Sequence, residues 1–200
     1  MRCIEMEDRV NGIWEWEYDG WGRKIREKAP EGMESTISYH PTGELESISD
    51  QTGRCIRYEY DSLHNLIFKS QRLEAGKETW SKWSYEYDRM GRLTKKTDPI
   101  GHMTTYMYEE RRSAPSMEIR PDGQELSYEY DTAGRVTAEE DFCGRREFGY
   151  DSASNMTLYR DGEGNETRRV YNGIGLLKVE YSPKKWEDKR EAETLYRYDF

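Results

Sequence analysis

Ser84-Tyr-Glu-Tyr-Asp-Arg-Met-Gly-Arg-Leu-Thr-Lys-Lys-Thr-Asp-Pro-Ile-Gly101 holds two strands and two turns in eighteen residues. Tyr85 and Tyr87 alternate with Ser84 and Glu86, so both rings fall on one face of a strand. Asp98-Pro99-Ile100-Gly101 meets the type I turn preferences for Asp first, Pro second and Gly fourth, and Asp88-Arg89-Met90-Gly91 meets the first and last. The Asp carboxylate accepts N–H groups inside such a turn, and Gly supplies the positive φ that closes a hairpin through a bulge.

The same pattern recurs along the chain. The Asp88 position is occupied by Asp19, His40, Asp61, Asp88, Glu109, Asp131, Asp151, Asn172 and Asp199, a period of about 21 residues that lengthens to 27 twice. The residue before each is Tyr in nine of nine cases. Two residues earlier stand Trp16, Ile37, Tyr58, Tyr85, Tyr106, Tyr128, Phe148, Arg169 and Tyr196, apolar or aromatic except for Arg169. Fourteen of the sixteen tyrosines occupy these two positions, so the aromatic residues belong to the repeat itself. The second turn returns at Asp50–Gly53, Asp98–Gly101, Arg120–Gly123, Asp141–Gly144 and Asp161–Gly164. His64 and Ser154 stand where the first turn wants Gly, and Glu109-Glu-Arg-Arg112 lacks it altogether.

These units resemble RHS repeats, also called YD repeats, as found in bacterial RHS-type shells and in teneurins. The segments that carry the resemblance include YEYDSLHNL from Tyr58, YEYDRMGRL from Tyr85, YEYDTAGRV from Tyr128 and YDSASNM from Tyr150. The expected fold is all-β, an antiparallel β-hairpin repeat ribbon of about sixteen to eighteen strands with essentially no helix. Residues 1–12 lack the pattern and read as a strand remnant or a frayed end, and residues 13–200 read as the array, truncated at its C-terminus. The resemblance implies a curved open arc of a larger spiral shell that encloses or presents a toxin or effector domain in a secreted or surface protein. It also implies an extracellular or cell-surface location, although the chain starts without a signal peptide. The family's self-cleavage site, with essential Asp residues near a DPxG motif, lies at the end of the shell. Asp98–Gly101 is mid-array, so no catalytic residue is carried over.

Composition agrees with a ribbon without a large core: 34% hydrophobic against 36% charged residues would suit disorder, were the aromatic residues not phased. The sheet is expected to be held by cross-strand aromatic pairs, with Tyr60, Tyr87, Tyr130 and Tyr150 largely buried. A net charge of −9 gives general phosphate-backbone binding no electrostatic footing, so no nucleic acid is expected, and no stretch is apolar enough for a membrane span. Cys3, Cys55 and Cys143 are odd in number and lack CxxC spacing, which argues against a disulfide framework or a zinc site. His40, His64 and His102 share no metal-ligand spacing and read as surface turn residues. No nucleophile elbow or phosphate-cradling loop is present; no cofactor and no enzymatic activity are expected.

Two readings stand beside the shell. A carbohydrate- or choline-binding repeat module of a cell-wall protein also uses aromatic hairpins of about this length. A glycoside hydrolase would need two carboxylates singled out from the turn acids, and none is. The two long units, at Leu73–Trp83 and Ser182–Thr194, occupy the same place in their repeats and carry Trp80, Trp83 and Trp186 among charges. These tryptophans are the candidate partner contacts, against the alternative that each packs over a neighbouring hairpin. The terminal strands are expected to engage the remainder of the shell or another copy of the chain.

Overall fold

Period-two alternation between turn signals produces strands where the sequence places them. The computed structural model describes residues 2–7, 12–73, 79–182 and 192–198. They form eighteen strands, and no helix occurs among the described residues. Two compact units, Met1–Met103 and Thr104–Phe200, are taken separately.

In the first unit each strand pairs antiparallel with the next. These are β1 (Arg2–Glu7), β2 (Ile13–Tyr18), β3 (Lys24–Lys28), β4 (Glu34–Tyr39), β5 (Leu45–Asp50), β6 (Cys55–Tyr60), β7 (Leu66–Arg72), β8 (Ser81–Tyr87) and β9 (Leu93–Thr97). The second unit repeats the meander through β10 (Met103–Met107), β11 (Met117–Ile119), β12 (Glu125–Tyr130), β13 (Val136–Asp141), β14 (Gly144–Tyr150), β15 (Met156–Arg160), β16 (Glu166–Tyr171), β17 (Leu177–Ser182) and β18 (Ala192–Leu195). Arg2–Glu7 is thus a paired strand, although it lacks the repeat's residues.

The turns follow from their acids. Asp88 Oδ1 accepts the N–H groups of Met90 and Arg92 at 2.9 and 3.0 Å, while Oδ2 takes Arg92 Nε at 2.7 Å. Asp19 with Arg23 and Asp131 with Arg135 reproduce this bond for bond. Asp61 and Asp151 use the amides of Asn65 and Asn155 instead, which explains why Arg and Asn alternate at the fifth position. Arg112, the fourth residue of the glycine-free turn, still donates its N–H to Glu109 O at 3.2 Å. His64 and Ser154 adopt φ of 67° and 68°, so the backbone keeps the left-handed conformation even where the sequence omits glycine.

Seven hairpins carry a register shift immediately before the landmark tyrosine, at Tyr18, Tyr39, Tyr60, Tyr87, Tyr130, Tyr150 and Tyr171. The bulge sets the tyrosine to reach backward. Tyr87 Oη donates to Leu66 O at 2.9 Å, Tyr39 to Lys24 O at 2.9 Å, Tyr130 to Pro115 O at 2.7 Å and Tyr171 to Met156 O at 2.9 Å. Each acceptor follows the first turn of the preceding hairpin, so one side chain pins two repeats together.

Tyr60, Tyr87, Tyr130 and Tyr150 are mostly covered, but none is fully buried. Among the described residues no large side chain is fully buried, and the most enclosed are Cys55, Leu126, Ala138, Val179 and Ser70. The physical reason is that the repeat covers each ring from its neighbours along the ribbon and supplies no second layer to close over it.

Burial still raises the Tyr87 hydroxyl above its ordinary pKa, with smaller upward contributions from Tyr85 and Asp61, which keeps it a donor. Replacing Tyr87 by Ala is expected to cost about 2 kcal/mol, below a full core loss because the ring is only partly buried. Tyr87→Phe, which removes only the bond to Leu66 O, is expected to cost about 1 kcal/mol. Urea denaturation of the two variants gives both numbers, and values near zero would show that the ring does not join the repeats.

Candidate functional site

The face opposite the tyrosines is a ladder of charges. Glu15 meets Lys28 at 2.6 Å, and Arg26 lies between Glu17 at 2.6 Å and Glu34 at 2.7 Å. In the second unit Arg160 likewise lies between Glu147 at 2.6 Å and Glu166 at 2.8 Å. These pairs sit across the strand registers, so alternation alone brings them together. Arg169, the exception among the aromatic positions, faces Glu180 at 2.8 Å, and its guanidinium reaches Met156 Sδ at 3.4 Å.

Around the tyrosines, arginines of the first turns stack on rings of the following unit. Arg23 lies 4.4 Å from the Tyr39 ring centre, Arg112 5.0 Å from Tyr130 and Arg135 4.8 Å from Tyr150. Asp19, Arg23 and Tyr39 thereby form one relay from turn to ring to the preceding backbone. Tyr39 and Tyr130 each carry both a hydroxyl bond and a stacked guanidinium.

The histidines depart from this relay. At His40 the repeat carries His where Asp belongs and Glu44 where Arg belongs. Glu44 pairs with His64 of the next hairpin, and the His40 ring meets Tyr60 edge-on at 6.1 Å between centres. Thr42, Tyr60, Asp61 and Ser62 complete a pocket of about 280 Å³ around them. Glu44 is held below the usual carboxylate range, foremost by the Thr42 hydroxyl and then by its own N–H, against desolvation. No group of three or more His, Cys, Asp or Glu suited to a metal ion occurs among the described residues.

Of the tryptophans singled out by sequence, Trp80 is half-buried, with Arg57 4.6 Å and Arg72 5.2 Å from its ring centre. Trp83 belongs to β8 rather than to the insertion: the strand begins at Ser81, and Trp83 pairs with Lys69, whose ammonium lies 5.3 Å from the ring. The hairpin is taller here because β7 and β8 each run to seven residues. Trp186 lies outside the described residues. Sequence reasoning missed Arg57, on β6, and Ser70 and Arg72, on β7 just before the insertion. The signal available was a serine-rich run opposite cations, legible only once the register is known.

Nine phased tyrosine landmarks, with a hairpin meander in each unit, make the chain an array of YD-type β-hairpin repeats. No protein-family model and no curated protein matches it. Solved structures do. The crystal structure of TcdB2-TccC3-Cdc42 matches with a TM-score of 0.68 at 16% identity, over 98% of this chain and 13% of that one. TcdB2-TccC3 without its hypervariable C-terminal region gives 0.65 at 16% identity, and TcdB2-TccC3 itself 0.64 at 17%, with the same coverage. The likeness is one of fold, and the chain spans 13% of the length of those it matches.

Proposed function

We propose that this chain is a structural segment of an RHS-type shell that encloses or presents a toxin or effector domain in a secreted or surface protein. The observation that carries the reading is the fold shared with TcdB2-TccC3 over 98% of the chain. The relay supports it: tyrosine hydroxyls, turn carboxylates and arginines are spent on joining repeats, as a wall requires. The terminal strands then pair with further repeats of the shell or with another copy. The reading assigns the chain no catalysis and no cofactor, and it ranks above a carbohydrate- or choline-binding module because the rings that would bind sugar carry these joints.

Limited proteolysis of the full-length native protein tests it. The repeats and a non-repeat domain should resist protease together, and that domain should become sensitive once the array is unfolded by acid. Rapid digestion of every non-repeat domain while the array stays intact would overturn enclosure. A native product no longer than this chain would overturn the shell segment as well.

A further inference from the structure

On the charged face most strand cations have a carboxylate across the ladder; Arg57 and Arg72 do not. The cross-strand neighbours of Arg57 are Ser47 on β5 and Ser70 on β7. Arg72, two residues from Ser70 and so on the same face, faces Cys55. No ion pair joins either guanidinium to an acid among the described residues. Both lie against Trp80, which places them no more than about 10 Å apart. Arg72 Nε is buried and has no hydrogen-bond partner. A buried N–H left unpaired calls for an acceptor, and the described residues supply none.

The surroundings define the acceptor. Lys82 faces Ser70 from β8, lies 3.4 Å from the Phe68 ring centre and is 3.8 Å from Glu59. A groove of about 450 Å³ runs beside Arg57, lined by Ser38, Ser47, Glu46 and Glu59 among others. Among the described residues, Arg57, Arg72 and Lys82 set against Glu46 and Glu59 leave one net positive charge. That matches a monoanion and penalises a phosphate dianion. A planar carboxylate also suits the guanidinium fork, with serine hydroxyls as further donors. Trp80 is already committed to two cations, which weakens it as a stacking platform for a sugar ring.

We propose that the Arg57–Trp80–Arg72 cluster binds a carboxylate side chain of an acidic peptide segment. The inference does not rest on the shell reading. Hexaglutamate peptide titrated into the full-length, isotope-labelled chain tests it. The Arg72 Nε–H resonance, assigned by its loss in Arg72→Lys, should move downfield on saturation, and Trp80 emission, assigned with Trp80→Phe, should change in step. Arg57→Gln should weaken binding by about tenfold or more. Arg168→Gln, at an exposed arginine paired with Glu166, should leave it unchanged. If Arg57→Gln disturbs the fold by circular dichroism, Arg57→Lys, which keeps the charge and loses the fork, should still weaken binding. No movement of the Arg72 resonance, equal weakening by Arg168→Gln, or binding of polygalacturonate or inorganic phosphate without binding of the peptide would each overturn the proposal.

Discussion

Lowering the pH from 7 to 2 is expected to weaken the β-sheet circular dichroism of the protein, with the loss setting in below about pH 4. The carboxyls of Asp19, Asp50, Asp61, Asp88, Asp98, Asp131, Asp151 and Asp161 are all held below their usual value of 3.8. For Asp88 and Asp131 the foremost cause is the N–H of Arg92 or Arg135. For Asp61, Asp151 and Asp161 it is the side-chain amide of the following Asn, and for Asp50 the Thr52 hydroxyl. At Asp19 and Asp98 desolvation is largest and pushes upward, but the bonds from Arg23 and Trp21, or from His102 and Ile100, outweigh it. A carboxyl whose folded pKa is depressed contributes stability that is complete above the unfolded value and is lost as pH falls through the folded one. Each turn is open to solvent and contributes little alone, so the effect comes from number. A sheet signal unchanged down to pH 2 would refute this account.

One substitution separates the hydrogen bonds from the charge. In Asp88→Asn the amide oxygen can still accept the N–H groups of Met90 and Arg92, as Asn172 accepts those of Ile174 and Leu176 at 3.1 and 2.9 Å. The 2.7 Å ion pair with Arg92 is lost. The variant is therefore expected to be slightly less stable at pH 7 and to show a shallower acid dependence, read from urea midpoints at several pH values.

What could be read from the sequence was whatever lies within one hairpin. Asp88 and Gly91 specify their turn through contacts three or four residues apart, and the alternation of Tyr85 and Tyr87 specifies the face. Even the positive φ of His64 and Ser154 was legible, because the period marks those positions as glycine sites. What joins one hairpin to the next was not. The Tyr87 hydroxyl bonds Leu66, twenty-one residues away, through a bulge that no residue type announces. The incomplete burial of the rings follows from the missing second layer, which composition hints at and periodicity conceals. At Trp80 the sequence marks an aromatic residue among charges, but its two guanidiniums come from β6 and β7, and only the register Arg57–Ser70–Lys82 shows them unpaired.

Gly144→Val is expected to cost about 3 kcal/mol, from two causes that act together. Gly144 has φ of 118°, outside the range a β-branched residue tolerates. It also closes the turn Asp141–Gly144 directly against the next second turn, where a Cβ would lie 3.2 Å from both Cα and O of Gly162. The contact is backbone to backbone, so no side chain can yield. Gly162 meets the same wall from the other side: its Cβ would lie 2.8 Å from Cys143 O, a distance that forces the two turns apart. Gly123 separates the causes, since it has φ of 81° with nothing within 4 Å of a Cβ. Gly123→Val should therefore show the backbone strain alone, about 1–2 kcal/mol. Gly162→Ala, whose φ is not in the left-handed region, should show the close approach alone. Urea unfolding of the three variants tests the order: Gly144→Val is expected to be the most costly. Equal losses for Gly144→Val and Gly123→Val, with none for Gly162→Ala, would show that the turns do not pack against each other and that only the dihedral angle demands glycine.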